Sequence, residues 1–215
     1  MAGVDLDLSR TSVFLDFDGT ISVDDVGVHV LTRAAAPGWH EIDEQFRRGE
    51  IDSRECILDE WELVQGDEAT LRAIAAEVEL DPGLAPLVDA LRAAGAELTV
   101  VSDGFGFYVE DACRPFGLDV LTNAVDFGTG ELLFPHEDRC CPCSSCGVCK
   151  QAPIKDAEHR GQTTMLIGDG ASDREAALLA DIVFAKGVLA SWCDAFGVEY
   201  APFDTLGDVN RALFG

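Results

Sequence analysis

The sequence predicts an α/β protein with a doubly wound parallel sheet and a small inserted all-helical domain. Short apolar runs alternate along the chain with longer segments in which apolar residues recur every three or four positions, the pattern of an amphipathic helix. Strands that alternate with helices pair in parallel, with helices on both faces of the sheet. Three of the apolar runs, at residues 13–15, 98–101 and 163–167, are followed directly by polar side chains. This is the edge at which open α/β sheets bind ligands.

A strongly acidic helical region follows the first strand. Apolar residues recur through it at helical spacing, and Ser53 and Asp67 are suitable N-cap residues. Pro-Gly and Gly-Asp pairs divide the region into about four helices. We therefore predict a helical cap domain over residues 23–80 and an α/β core over residues 1–22 and 81–215.

The rest of the chain supplies the other strands and helices. An amphipathic helix over residues 84–91 ends near Gly95, a favourable residue after a helix C-terminus. Beyond it, apolar and β-branched runs predict strands, and helical spacing predicts helices between them. Strands are predicted at 98–101, 118–121, 163–167, 182–185 and 198–201, a hairpin at 125–134, and helices at 151–160, 176–180, 187–196 and 205–213.

Charge limits the partners that the protein can bind. The chain carries 40 acidic and 15 basic residues, which gives a formal net charge of −25. Such a chain repels nucleic acid and anionic membrane surfaces, so we predict neither as a partner. An anionic ligand needs a local positive centre, and lysine is scarce: only Lys150, Lys155 and Lys186 are present.

The N-terminus and the cysteine usage favour a cytoplasmic protein. The first residues lack the apolar segment of a signal peptide, and no apolar run approaches the ~18 residues of a membrane span. Five of the eight cysteines lie within residues 140–149, which is not the pattern of a secreted disulfide framework. We predict that this cluster serves metal or redox chemistry.

The cysteine cluster has three interpretations. Thiolates bind zinc, but zinc sites usually separate their two cysteine pairs by about a dozen residues or more, and here the spacing is tighter. A structural Zn²⁺, an iron–sulfur cluster, and reduced or paired thiols therefore stay open. A bound metal would hold Lys150, the residue that follows the cluster. The candidate second metal site consists of Cys140, Cys143, Cys146 and Cys149.

The first strand ends in two carboxylates. Asp16 and Asp18 are two positions apart, so both lie on the same side of the chain as the strand ends. Burying two carboxylates without a partner is costly, and their position therefore implies a cation. Polar residues follow two other strands in the same way, and parallel pairing brings all of them to one edge of the sheet: Ser102, Asp103, Asp169 and Asp173.

These motifs resemble those of the haloacid dehalogenase-like hydrolases. The family motif D-x-D-G-T matches residues 16–20, the motif II Ser or Thr matches Ser102, and G-D-x-x-x-D matches residues 168–173. The match follows the chain in order, and Asp at both carboxylate positions is similar to the phosphate-transferring branch. The resemblance implies a Rossmann-like core. The helical insertion before Ser102 is similar to the cap of the C1-capped, phosphoserine phosphatase-like subgroup.

The resemblance also implies the roles of the acidic residues. Asp16 would attack phosphorus, and Asp18 would protonate the leaving alkoxide and then activate water. Mg²⁺ prefers oxygen ligands. Its ligands would be the Asp16 carboxylate, the Asp18 backbone carbonyl and the Asp169 carboxylate, with Asp173 in support.

The phosphoryl group requires positive and neutral donors as well. The resemblance implies that Ser102 and backbone N–H groups near Gly104 hold phosphoryl oxygens while a lysine offsets their charge. Lys155 and Lys150 are both candidates. We assign Lys150, because it ends a C-G-V-C-K sequence similar to that of the phosphatases that act on 2-hydroxy-3-keto-5-methylthiopentenyl-1-phosphate in methionine salvage.

Two further residues are assigned to substrate specificity. Motif II reads S-D-G-F and not the S-G-G-F of phosphoserine enzymes. Asp103 would therefore disfavour a substrate carboxylate and favour a cationic head group. The alternative is that Asp103 caps the following helix. Arg54, at a helix start, would contact the substrate or, alternatively, form a surface ion pair.

The sequence as a whole predicts a Mg²⁺-dependent phosphatase that hydrolyses a small phosphorylated metabolite through an aspartyl-phosphate intermediate. The alternative is a phosphotransferase or phosphonate-processing relative that uses the same site. A non-catalytic phosphoester- or metal-binding protein fits less well, because every catalytic position is filled. The sequence predicts neither the exact substrate nor the oligomeric state.

Overall fold

A parallel sheet forms the centre of the computed structural model, which describes residues 6–139 and 145–215. The strands are β1 (Thr11–Leu15), β2 (Glu97–Val101), β3 (Asp119–Leu121), β4 (Ala124–Asp126), β5 (Glu131–Leu133), β6 (Thr163–Gly168), β7 (Ile182–Ala185) and β8 (Ala201–Pro202). Six of them form the sheet in the order β3-β2-β1-β6-β7-β8, and all neighbours in it are parallel. Strands β4 and β5 form the predicted antiparallel hairpin.

Helices surround this sheet in sequence order. They are α1 (Val26–Ala34), α2 (Trp39–Arg48), α3 (Ser53–Leu63), α4 (Glu68–Ala75), α5 (Leu84–Ala93), α6 (Phe107–Cys113), α7 (Gln151–His159), α8 (Arg174–Ala177), α9 (Gly187–Phe196) and α10 (Leu206–Phe214). Within the described ranges, none of these helices is long and apolar enough to cross a membrane.

The two faces of the sheet are covered by different helices. Alternate residues of a strand point to opposite faces. Val13 and Leu15 of β1 therefore belong to one apolar cluster, which includes residues of α5 and α10. Phe14 belongs to the other cluster, with residues of α7, α8 and α9. Helices on both faces of a parallel sheet make the fold doubly wound, which confirms the predicted fold class.

The position of β1 at the middle of the sheet determines where the site forms. Leu15, its last residue, lies opposite Val100 of β2 on one side and Ile167 of β6 on the other. The carboxyl ends of these three strands are therefore level. The polar residues that follow them meet at one edge, next to a point where the strand order changes direction.

The acidic region after β1 forms the four helices α1 to α4. The chain leaves the core and returns to it at neighbouring points, where Ser22 bridges to Leu80 and the Asp81 N–H donates to the Ile21 carbonyl at 2.8 Å. We keep residues 23–80 as the proposed extent of the cap domain. Asp67 caps α4, as the sequence predicts.

Three local predictions were wrong. Ser53 does not cap α3; Asp52 does, and Ser53 is the first helical residue. Strand β8 is shorter and later than expected, because α9 runs to Phe196 and ends at Gly197 in a left-handed conformation, after which several residues lead the chain back to the sheet edge. Helix α8 begins at Arg174, earlier than expected, directly after the turn that contains Asp173.

Candidate active site

Asp16 lies at the end of β1 and is almost completely buried. Its N–H donates to the Ile167 carbonyl at 2.9 Å, which continues the pairing of β1 with β6 by one residue. Gly19, in the loop after β1, has a φ of +77°, and a Cβ on this residue would lie 2.6 Å from Asp169 Oδ2. Only glycine lets the loop turn this sharply beside Asp169. The D-x-D-G-T sequence thus brings the loop that follows β1 into contact with the loop that follows β6.

Lys150 lies between two of the carboxylates. Its Nζ donates to Asp16 Oδ1 at 2.5 Å and to Asp173 Oδ1 at 2.7 Å, and only 5% of the residue is exposed. Burial by itself lowers the pKa of Lys150, but Asp16 and Asp173 outweigh it and raise the pKa, so the ammonium is charged. Lys155, the other candidate, donates to Gln151 on its own helix and lies outside this cluster.

Three carboxylates meet around a single ammonium group. Oxygen atoms of Asp16, Asp169 and Asp173 all lie within 4.8 Å of one another. Burial, and then Asp173, raises the pKa of Asp16 against the effect of Lys150. Burial also raises the pKa of Asp169, although the Thr20 hydroxyl donates to it at 2.6 Å. The single ammonium group of Lys150 therefore does not neutralise the three carboxylates.

This donor set fits a hard divalent cation. All three side chains offer oxygen, the ligand type that Mg²⁺ prefers, and the raised pKa values of Asp16 and Asp169 indicate that a further cation would stabilise these two carboxylates. Asp173 is held in place because its Oδ2 accepts the N–H groups of Asp169 and Gly170, at 3.2 and 3.0 Å. Asp173 is thus held where it can contribute to a cation site together with Asp16 and Asp169.

Asp18 has surroundings unlike those of Asp16. Its Oδ1 accepts the Val26 N–H at 3.0 Å at the start of α1, and its Oδ2 accepts the Tyr108 hydroxyl at 3.0 Å. Burial, followed by the charge of Asp25, raises the pKa of Asp18 to about 7. A carboxyl group with such a pKa can hold a proton or release it near neutral pH, as acid–base catalysis requires.

Ser102 and Gly104 lie beside Asp18. The buried Ser102 hydroxyl accepts the Gly104 N–H at 3.1 Å and lies 3.5 Å from Asp18 Oδ2. A Cβ on Gly104 would lie 2.2 Å from the Tyr108 hydroxyl oxygen, so a side chain there would displace Tyr108 from Asp18. The glycine of motif II is therefore needed for the Tyr108–Asp18 contact.

The two candidate specificity residues make contacts within the protein. Asp103 lines the cavity but does not cap α6, whose N-cap is Gly106; its carboxylate accepts from Val148 and Ser53 instead. Arg54 forms an ion pair with Glu137 at 2.8 Å and packs 4.0 Å from the Phe134 ring centroid, and it does not line the cavity. The helix-cap interpretation of Asp103 is therefore wrong. The alternative reading of Arg54 as an ion-pair residue matches this geometry.

The cysteine cluster lies only partly within the described residues. Cys140 and Cys143 fall outside them, whereas Cys149 is buried and Cys146 is half-buried. Among the residues that the structure describes, the carboxylate trio is the one group that brings three metal-binding side chains together. The described part of the chain therefore gives no support to a zinc or iron–sulfur site at the cysteines.

A cavity of about 370 Å³ opens between this edge of the sheet and helices α1 to α3. Catalytic candidates form its floor, and the helices add carboxylates on the opposite wall. The acidic groups outnumber the two guanidinium groups, Arg47 and Arg174, among the described residues that line it. The acidic lining residues are Asp16, Asp18, Asp25, Asp43, Glu60, Asp103 and Asp169.

Sequence reasoning missed several of these residues. Tyr108 contacts Asp18 from the first turn of α6, and its only sequence signal is its position shortly after motif II. Asp25 is the N-cap of α1 and Glu60 belongs to α3, and nothing in their local sequence indicates that both line the cavity. Arg174 lines the cavity, and its Nε has no hydrogen-bond partner among the described residues.

We expect Glu60→Gln to stabilise the protein near pH 8 but not near pH 5. Burial, and then Asp43 and Asp25, raises the pKa of Glu60 to about 8 from 4.5. The folded protein then binds more protons than the unfolded chain, so stability falls as the pH rises through this interval. The amide does not ionise and therefore avoids that loss of stability. We expect the loss to be about 1 kcal/mol, or roughly 2–4 °C in Tm, because solvent screens the charge of this partly exposed side chain.

Thermal unfolding at the two pH values measures this effect. Glu62→Gln is the matched control, because Glu62 is exposed on the same helix. An equal change in Tm at both pH values for Glu60→Gln would contradict the account of its ionisation.

Known proteins resemble this chain in sequence. The model of the haloacid dehalogenase-like hydrolase family matches residues 13–178. A 2-hydroxy-3-keto-5-methylthiopentenyl-1-phosphate phosphatase from Exiguobacterium sp. is 28% identical over 211 residues, which cover 95% of this chain and 98% of the relative. The enzyme of the same name from Brevibacillus brevis is 29% identical over 209 residues, 94% of each chain.

Solved structures show the same fold. A phosphoserine phosphatase described as a phospho-aspartyl intermediate analogue has a TM-score of 0.71 at 19% identity, with 94% of this chain and 98% of that chain covered. A substrate-bound phosphoserine phosphatase complex has a TM-score of 0.70 at 18% identity, with coverages of 94% and 97%.

Proposed function

Since the chain belongs to the haloacid dehalogenase-like hydrolases and is a phosphatase of that family, we propose that it hydrolyses a small-molecule phosphomonoester with Mg²⁺ through an aspartyl-phosphate at Asp16. The observation that carries the proposal is the position of Asp16. It is buried beside the Lys150 ammonium, 2.5 Å away, and lines a cavity that Asp18 also lines.

Asp16 is the nucleophile in this proposal. Lys150 donates to Oδ1, and we assign the attack on phosphorus to Oδ2. The P–O bond to Asp16 forms as the P–O bond to the leaving alcohol breaks. A covalent route replaces one difficult displacement by two easier ones.

Asp18 moves the proton in both steps. With a pKa of about 7 it can donate a proton to the departing alkoxide oxygen, which leaves as the neutral alcohol. The resulting carboxylate then takes a proton from the water that attacks phosphorus and releases phosphate and Asp16. Tyr108 and the α1 N–H groups keep the Asp18 carboxylate in one orientation throughout.

The phosphoryl oxygens are bound by neutral and positive groups of the chain. Ser102 and the N–H groups around Gly104 lie next to Asp18, and Lys150 lies next to Asp16, so a phosphoryl group between the two aspartates would meet donors on both sides. Mg²⁺ held by Asp16, Asp169 and the Asp18 carbonyl, with Asp173 in support, would neutralise charge that builds up on those oxygens.

The lining of the cavity bears on the substrate. Asp25 and Glu60 line the cavity, Arg47 is already paired with Asp43 at 2.9 Å, and Arg174 is the other guanidinium group among the described lining residues. Carboxyl groups thus outnumber guanidinium groups along the described lining, so a leaving alcohol with a carboxylate, as in phosphoserine, would find few cationic partners there. We propose that the leaving alcohol is neutral or cationic. The first compound to test is 2-hydroxy-3-keto-5-methylthiopentenyl-1-phosphate, which the names of the sequence relatives give. Phosphoethanolamine and phosphocholine follow as esters of cationic alcohols.

Phosphate release from that panel, with and without Mg²⁺, tests the proposed function. We expect turnover with at least one neutral or cationic compound and little with phosphoserine. Phosphate transfer to an added alcohol in place of water would identify a phosphotransferase instead. Absence of turnover with every compound would contradict the proposal for these substrates.

Removal of the metal should abolish activity and lower stability together. A chelator leaves the carboxylates with Lys150 as their one ion-pair partner among the described residues, so we expect phosphate release to fall to background and Tm to drop, with Mg²⁺ restoring both. Asp169→Asn should largely remove the Mg²⁺-dependent rise in Tm. Asp126→Asn, at the exposed end of β4, should keep it. An identical Tm rise in Asp169→Asn would place the ion elsewhere.

A further inference from the structure

Asp103 connects three parts of the molecule that lie far apart in sequence. Its Oδ1 accepts the Val148 N–H at 2.6 Å, and its Oδ2 accepts the hydroxyl of Ser53, the first residue of α3. Its backbone carbonyl accepts Asn123 Nδ2 at 2.9 Å, which fixes the residue from the β3 side. Both carboxylate oxygens are thus bound by protein groups.

The segment that carries Lys150 is shaped to reach Asp103. A Cβ on Gly147 would lie 2.2 Å from Asp103 Oδ1, so any side chain at this position would push the segment away. Val148 and Lys150 are both buried. A second bond joins the same segment to α3, because the Arg54 N–H donates to the Ser145 carbonyl at 3.2 Å. The first turn of α3 and residues 145–150 are therefore held together at two points.

Lys150 lies two residues after the N–H that Asp103 binds. Its ammonium must lie within hydrogen-bond distance of both Asp16 and Asp173, and it does so at 2.5 and 2.7 Å. A displacement of about 1 Å at a catalytic group costs about a hundredfold in rate. The geometry points to Asp103 as a positioning residue: we propose that it holds Lys150 at Asp16 and makes that placement depend on the docking of α3.

This inference rests on the proposed function for its kinetic consequences and differs from a role in substrate specificity. A specificity residue affects substrates according to their head groups and acts mainly on KM. A residue that positions Lys150 affects the phosphoryl group that all substrates share, and therefore lowers kcat for all of them by a similar factor.

Kinetics of Asp103→Ala, Asp103→Asn and Ser53→Ala on two substrates with different head groups distinguish these roles. We expect Asp103→Ala to lose about 10- to 100-fold in kcat on both. Asp103→Asn keeps an oxygen acceptor for the Val148 N–H and should recover most of the loss. Ser53→Ala removes only the contact with α3 and should show a smaller loss. A KM effect confined to cationic substrates would overturn the inference in favour of specificity.

Lysine NMR supplies a readout that does not need turnover. The chain has three lysines, so isotopically labelled lysine gives three ammonium signals, and Lys155→Arg and Lys186→Arg assign them. We expect Asp103→Ala to shift and broaden the Lys150 signal, with a smaller shift in Ser53→Ala. If the wild type hydrolyses nothing, the proposed function fails while this measurement still tests the placement of Lys150.

Asp81→Asn is the control for a buried carboxylate with a structural role. Asp81 accepts the N–H groups of Gly83 and Leu206 at 2.7 and 3.1 Å, far along the chain from residues 145–150. We expect it to lower Tm without changing the Lys150 signal. An unchanged Lys150 signal in Asp103→Ala, or the same change in Asp81→Asn, would overturn the inference.

Discussion

Asp16→Asn is expected to lower phosphate release by at least about 10⁴-fold while the protein stays folded. The amide is close in size to the carboxylate and can still accept from Lys150, whose Nζ lies 2.5 Å from Oδ1. It is, however, a poor nucleophile towards phosphorus, and loss of the group that forms the covalent bond removes most of the rate enhancement. Steady-state phosphate release, with circular dichroism as a check on folding, measures the effect.

A matched control separates loss of the nucleophile from loss of charge. Asp126→Asn removes one negative charge from the exposed end of β4, where the side chain accepts the Gly128 N–H, and should keep full activity. If Asp16→Asn retained more than about a tenth of the wild-type rate, Asp16 could not be the nucleophile.

Lys150→Met is expected to reduce both activity and stability. The substitution preserves much of the apolar stem but removes the ammonium that pairs with Asp16 and Asp173, so these buried carboxylates repel each other without compensation. Removing one partner of a buried ion pair lowers the free energy of unfolding by about 3 kcal/mol. Loss of the positive charge at the phosphoryl group lowers kcat by about 10²–10³-fold as well. Chemical denaturation and steady-state kinetics measure the two effects.

Lys155→Met is the matched control for that variant. Lys155 is close in sequence, but its one hydrogen-bond partner among the described residues is Gln151 on its own helix. It should leave kcat unchanged. Bound Mg²⁺ would relieve the repulsion among the carboxylates, so Mg²⁺ should raise the stability of Lys150→Met more than that of the wild type. An equal rise in both proteins would contradict the proposed link between Lys150 and the three carboxylates.

The main features of the fold and of the site's floor could be predicted because they are local in sequence. Asp16, Ser102 and Asp169 each follow directly after a buried apolar run, and parallel pairing then brings all three to one edge of the sheet. The hairpin and the four inserted helices were predicted in the same way, from apolar spacing bounded by Gly and Pro.

Other parts could not be predicted, for physical reasons. The contacts of Asp103 with Ser53 and Val148 join residues about fifty positions apart and depend on how α3 docks on the core. A carboxylate before a helix can cap it, and only tertiary structure shows that α6 begins later, after Gly106. The contact of Tyr108 with Asp18 likewise depends on the packing of α6.

Trapping the covalent intermediate tests the central claim most directly. Enzyme, Mg²⁺ and the best substrate would be mixed, quenched during turnover and treated with borohydride, which reduces an aspartyl-phosphate to homoserine. Peptide mass spectrometry then locates the modified residue. We predict homoserine at position 16, dependent on substrate and Mg²⁺ and absent from Asp16→Asn. Turnover without modification at position 16, or with modification at another aspartate, would contradict the proposed mechanism.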